Sequence, residues 1–116
     1  MKRSAVRWVG AAFVLVSAAC APAYRGEPLA GPLVLETTAL REGERLFSAN
    51  CQQCHPGGAG GLGPSLNDKP LPGSVISYQV RQGLGAMPAF STERLSDAEL
   101  GALVSYLERL RQHGSE

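Results

Sequence analysis

Five consecutive residues constrain this chain more than any other feature: Cys51-Gln52-Gln53-Cys54-His55. Two thiols three positions apart, followed at once by an imidazole, form a C-x-x-C-H motif, which reads as a covalent attachment site for haem. The physical logic is close-fitting. Each thiol can form a thioether to one of the two vinyl groups of a single porphyrin, and the next residue sets an imidazole under the iron. Such a staple suits the rest of the chain. It has 116 residues with 44% hydrophobic but only 6% aromatic side chains, so large core-forming groups are few, and small domains with thin cores depend on a disulfide, metal or cofactor. The formal net charge of +1 offers no electrostatic sign of a nucleic-acid partner.

Other uses of the two cysteines fit less well. A structural zinc site needs four ligands, and His113 is the only further candidate outside the motif. A redox-active C-x-x-C expects a βαβ setting, and no strand alternation occurs. A disulfide across so short a loop is strained and leaves His55 without a purpose. Gly58-Ala59-Gly60-Gly61-Leu62-Gly63 matches G-x-G-x-x-G, but that pattern means dinucleotide binding only between a strand and a helix. Here it runs into Pro64.

Residues 1–20 read as an export signal. Lys2, Arg3 and Arg7 form a basic head, and Trp8 to Ala19 is an apolar stretch of the length such signals use. Ser17-Ala18-Ala19-Cys20 resembles a lipobox, with Ser17 where leucine is usual, which makes Cys20 the expected lipidation site and a lipid anchor the expected membrane attachment. A plain cleavage after Ala21-Pro22-Ala23 is the rival. The odd third cysteine favours lipidation, because an unpaired cysteine in an exported protein needs an explanation. Losing Lys2, Arg3 and Arg7 from eleven basic residues leaves eight against ten acidic, a net charge of −2. Residues 21–37 contain Pro22, Pro28 and Pro32 and no helical period, and read as a flexible tether. The folded domain is expected over 38–116.

Within that domain, Thr38 is the expected cap of a helix through Ala39 to Phe47, with Leu40, Gly43 and Phe47 on one face. Gly43 is a costly helix residue, which implies close approach of another element. Ser74 is the expected cap of a helix over Val75–Gln82, stopped by Gly83. Ser96-Asp97-Ala98-Glu99 is a capping box, and Leu100, Leu103, Val104, Leu107 and Leu110 continue from it at helical spacing to near Gly114. Residues 56–73 are loop, rich in glycine and proline. A second loop, Gly85 to Phe90, carries Met87, the only methionine after the leader. Pro88 biases Met87 toward an extended backbone, which suits presentation of a thioether to iron. Lone methionines usually fill cores, but this one lies between glycines and a proline rather than on an apolar helical face. His113 is the other candidate for a second axial ligand. Arg81 reads as an ordinary solvated helix charge, with steering of an acidic partner as the alternative.

Taken together, Gly43-Glu44-Arg45-Leu46-Phe47 before the C-x-x-C-H, then Gly63-Pro64-Ser65-Leu66, then Met87-Pro88-Ala89-Phe90, then a C-terminal helix bearing Tyr106, resemble the class I c-type cytochromes of the small bacterial monohaem type. The resemblance spans about Ala39 to Arg111. It implies an all-α fold of three to four short helices around one covalent haem c, bound through Cys51 and Cys54, with His55 and Met87 as iron ligands. It also implies that Tyr106 packs on Gly43, that the Pro64 carbonyl holds His55, and that Leu66 and Phe90 wall the haem. Departures are Pro56 where glycine is frequent, the long glycine run 57–63, and a lone lysine, Lys69, after the leader. The function implied is one-electron transfer, not catalysis, by a monomer between protein donors and acceptors of an exported respiratory or dehydrogenase-linked chain. The expected location is the periplasm or the outer face of the cytoplasmic membrane. The alternatives are a haem enzyme or gas sensor with an open sixth site, and a permanently docked redox subunit of a larger oxidoreductase.

Overall fold

The computed structural model describes residues 33–114. The leader, Cys20 and most of the expected tether lie outside the described residues. Three helices follow in order: α1 (Thr38–Asn50), α2 (Gly73–Gln82) and α3 (Asp97–Gly114), with one short 3-10 turn over Pro56–Gly58. The fold is all-α, and among the described residues the nearest thing to a strand is one isolated bridge between Leu84 and Met87. No described helix is long and apolar enough to cross a membrane.

The principal packing is α1 against α3. A methyl group at Gly43 would stand 2.6 Å from Tyr106 Cβ and closer still to the carbonyl oxygen of Ala102. The backbones of the two helices therefore meet at Gly43, which accounts for a glycine in mid-helix. One turn on, the rings of Phe47 and Tyr106 lie 5.5 Å apart at 47°, a tilted pairing of the kind aromatic quadrupoles favour. Leu46 and Phe47 from α1 meet Leu100, Leu103, Tyr106, Leu107 and Leu110 from α3, with Val80, Phe90 and Leu95 completing the buried cluster. The leucine spacing of α3 thus becomes the core stripe it predicts. Burial, and then the nearby Glu44 carboxylate, pushes the Tyr106 hydroxyl above its usual range, so it stays neutral.

Helix ends differ from expectation in three places. The cap of α1 is Thr37, whose Oγ1 accepts from Leu40 N at 3.1 Å; Thr38 is already helical. The helix also runs past Phe47 to Asn50, since the turn after it continues bonding to helical carbonyls. The cap position of α2 is Pro72 rather than Ser74, and no side chain caps the helix. Proline fixes φ near −65°, so the chain turns into the helix without one. The expected stop is present: Gly83 has φ 70°, a left-handed conformation that favours glycine. The capping box of α3 is also present, with Ser96 N donating to Glu99 Oε2 at 2.8 Å and Glu99 N to Ser96 Oγ at 3.3 Å. Ahead of α1, Leu33 and Leu35 pack against the core, and Arg41 donates to the Leu35 carbonyl at 2.9 Å. The C-terminal end of the segment expected as tether therefore contributes to the fold.

Gly43→Ala tests the helix crossing. Alanine is the better helix former by about 1 kcal/mol, yet its methyl group would meet backbone that cannot move aside. The expected net result is a loss of about 1–3 kcal/mol in denaturant unfolding of the haem-loaded protein. A variant as stable as wild type would show that α1 and α3 do not touch at this point.

Candidate functional site

The C-terminal end of α1 delivers the C-x-x-C-H. Cys51 N and Gln52 N both donate to the Phe47 carbonyl, at 2.8 and 3.0 Å, while Cys54 N and His55 N both donate to the Cys51 carbonyl, at 3.1 and 2.9 Å. The motif is thus a tight turn welded to a helix that is itself locked against α3. Its two thiols are unbonded and half-buried. Burial, and then the neighbouring Cys54, pushes the Cys51 thiol up to about 11, so it is neutral at pH 7, as suits a sulfur packed against the core.

His55 is buried, with 8% of its surface exposed. Its Nδ1 lies 2.8 Å from the Pro64 carbonyl oxygen. A carbonyl only accepts, so Nδ1 carries the proton and Nε2 is the nitrogen left for a metal. Such a bond fixes the ring and raises its basicity as a ligand. The loop that brings Pro64 to this point folds back on the motif: Gly63 N donates to the Cys54 carbonyl at 2.9 Å, and Gly61 N to the Gly63 carbonyl at 2.9 Å. A side chain on Gly63 would run into the His55 ring, with Nε2 2.8 Å from its Cβ. Pro56, unusual after the histidine, occupies the first positions of the 3-10 turn, where a missing N–H costs nothing. Gln52 reaches over this turn, its Oε1 accepting from Gly57 N at 2.9 Å. Leu66 N donates to the Gly58 carbonyl at 2.7 Å, and Leu66 packs half-buried against the core.

Met87 lies on a four-residue hairpin turn. Leu84 N donates to the Met87 carbonyl at 3.1 Å, and Met87 N to the Leu84 carbonyl at 2.9 Å. Behind it the chain passes so close to Gly83 that a methyl group there would stand 2.6 Å from the Met87 carbonyl oxygen. Met87, Cys51 and Leu66 all pack against the buried cluster that includes Phe90. Arg94 lies over the Phe90 ring, 4.5 Å from its centre. A porphyrin fits this donor set. Two free thiols and a fixed, buried imidazole share one turn, with a thioether on a second braced loop against the same core. The zinc alternative finds no support: no three His, Cys, Asp or Glu side chains gather to hold a metal ion among the described residues.

Arg81 is a correction. It is neither a solvated charge nor a steering residue, because its side chain is only 19% exposed and is occupied by the chain itself. Its guanidinium donates to the carbonyls of Phe90, Ser91 and Leu95 at 3.0, 3.3 and 2.7 Å and to Asp97 Oδ1 at 2.6 Å. Sequence gives one weak signal of this, an arginine two residues before the glycine that ends α2. Which carbonyls it reaches depends on how the loop returns.

Comparison with known proteins points one way. A family model described as cytochrome C oxidase, cbb3-type, subunit III matches residues 38–107. The chain is 37% identical over 83 residues to cytochrome c6 of Bumilleriopsis filiformis, covering 65% of this chain and 95% of that protein. It is 41% identical over 78 residues to cytochrome c6 of Bryopsis maxima, covering 59% and 88%, and 38% identical over 82 residues to cytochrome c6 of Cyanidium caldarium, covering 64% and 73%.

Gly63→Ala tests the seat of His55. Its methyl group would displace the ring from the Pro64 carbonyl, and losses of this kind cost roughly 10–100-fold in metal affinity. The expected outcome is that the acid-induced change in the absorbance spectrum that marks release of the histidine from the iron moves up by about one pH unit, the equivalent of tenfold in affinity. An unchanged acid midpoint would mean that the ring is not held where the structure has it.

Proposed function

Given that the chain belongs to the class I c-type cytochromes and carries electrons through one covalent haem c, we propose that His55 and Met87 are the axial ligands and that Cys51 and Cys54 form the thioethers. The observation that carries this reading is the bracing of both axial residues by backbone: His55 through the Pro64 carbonyl, Met87 through its paired bonds with Leu84. The bound haem supplies a one-electron ferric–ferrous couple, and His/Met ligation raises its potential. The chain's own part is to hold both ligands still, so that little has to rearrange when the electron moves. Pro64 orients the imidazole, and Leu66 and Phe90 wall the ring and keep water off. The Met87 turn has only Leu, Gly, Ala and Pro beside the sulfur, with no acid or base to work on a bound substrate, which weighs against an enzyme or gas sensor.

Partners are redox proteins docking briefly at the haem edge. Leu84 on the Met87 turn and Leu62 beside Gly63 are 69% and 86% exposed, apolar side chains on the two ligand-bearing loops that suit the small interfaces of transient redox encounters. The second reading, a redox subunit docked permanently on an oxidase, is favoured by the match to a family model for subunit III of cbb3-type oxidases. A carrier purified alone from its native membrane extract supports the first reading; co-purification with a terminal oxidase supports the second. The protein is exported by residues 1–20 and held at the outer face of the membrane by lipid on Cys20, with residues 21–32 as tether, since Leu33 and Leu35 already belong to the fold.

Two outcomes are expected. The oxidised protein shows the weak long-wavelength band of a sulfur–ferric iron bond, and Met87→Ala abolishes it. Absence of the band from wild type, with ready carbon monoxide binding when reduced, moves the reading to an open-site enzyme or sensor. Cys20→Ser shifts the protein from the membrane fraction to the soluble fraction and removes a diacylglyceryl mass; an unchanged partition and mass would exclude the anchor.

A further inference from the structure

The segment between α2 and α3 carries Met87, yet little backbone bonding ties its second half down. After the Leu84–Met87 pair, Phe90 N to the Val80 carbonyl at 3.0 Å is the one backbone bond from residues 88–96 back to α2. The remaining hydrogen-bonded tie to α2 is Arg81. Its Nη1 lies 3.0, 3.3 and 2.7 Å from the Phe90, Ser91 and Leu95 carbonyl oxygens, with one of its two hydrogens shared, so a single cation gathers three backbone dipoles spread over six residues. Phe90 and Leu95, whose carbonyls it takes, are also the two loop side chains buried in the core, at 4% and 1% exposure. The planar guanidinium suits this role, since a fixed fork of donors serves several acceptors with little further ordering. Its bond to Asp97 is secondary, because that carboxylate is 87% exposed and solvent screens such pairs.

We propose that Arg81 is a positioning residue for Met87: by holding the carbonyls of Phe90, Ser91 and Leu95, it keeps the downstream half of the Met87 loop closed and sets how readily the sulfur is displaced by an outside ligand. The inference rests on the reading of Met87 as the sixth ligand. Displacement exchanges one neutral donor for another, sulfur for an imidazole nitrogen, with no change of oxidation state. The sulfur can move away only if its turn swings outward. Residues 88–96 are the arm on which it swings, and Arg81 pins that arm at both ends. The same chain contains a matched clasp elsewhere. Arg111 Nη1 donates to the carbonyls of Lys69 and Leu71, both at 2.6 Å, and so pins a loop that does not carry Met87.

The test uses the haem-loaded ferric protein with imidazole as the incoming ligand, following loss of the sulfur–iron band in wild type, Arg81→Gln, Arg81→Lys, Asp97→Asn and Arg111→Gln. Arg81→Gln is expected to speed displacement about 10- to 100-fold, the factor that one or two charge-assisted hydrogen bonds represent. Arg81→Lys restores part of the difference, leaving displacement roughly 3- to 10-fold faster than wild type, because an ammonium keeps the charge but reaches fewer carbonyls. Asp97→Asn and Arg111→Gln stay within about threefold of wild type, as expected for an exposed pair and a remote loop. Displacement in Arg81→Gln at the wild-type rate, or equal acceleration in Arg111→Gln, overturns the inference. If Arg81→Gln does not accumulate, Arg81→Lys decides it, and an unchanged rate there overturns it. Wild type without the sulfur–iron band fails the ligand reading and this inference with it; a normal band with unaffected Arg81 variants fails this inference alone.

Discussion

Everything in this molecule hangs on the closeness of α1 and α3 at Gly43. Contact between the two backbones there places Phe47 on Tyr106 and fixes the C-terminal end of α1. Cys51 and Gln52 continue the bonding of that helix, so the attachment turn inherits its position from the crossing. His55 and, through Cys54, the Gly63–Pro64 loop are then located relative to the turn. A half-turn error at the crossing would be carried unchanged into the direction of the imidazole.

The haem end of the domain is built from backbone as much as from side chains. The Pro64 carbonyl holds His55, the Leu84 pair holds Met87, and the Gly58 carbonyl receives Leu66 N and Asn67 N together. Loops with so much glycine and proline would ordinarily be loose. Here the missing side chains allow strands of loop to lie directly against the motif and against each other. Rigidity comes from contact between main chains, and the two arginine clasps at the ends of α2 serve the same purpose with side chains.

Much of this was legible beforehand, for physical reasons. The C-x-x-C-H spacing admits few chemistries, and the leucine stripe of α3 admits one packing face. The capping box works through residues three apart, so it can be read locally. The Gly43 approach was visible as an unexplained cost. What could not be read was non-local. Thr37 caps α1 in place of its neighbour because both are threonines and only the entry angle of the chain chooses. Pro72 starts α2 through its fixed φ, with no side-chain signal at all. Arg81 binds carbonyls whose positions depend on the path of a loop, and a sequence shows which groups are charged but not where main-chain oxygens converge. The proposed axial pair lies between: residue types and neighbours suggest His55 and Met87, and the structure shows each of them braced by backbone.

Because α1 and α3 are the first and last of the described helices, the core closes only when Asp97–Gly114 is present. In a polypeptide that emerges N-terminus first, Cys51 and Cys54 are exposed before Asp97–Gly114 has arrived to bury the cluster that Cys51 packs on. Loop closure over so long a separation is slow compared with local helix formation. The thiols are therefore most accessible early, as a helix-bound turn without its lid, and covalent loading is naturally ordered ahead of folding. The same topology that shelters the finished haem gives its attachment a head start in time.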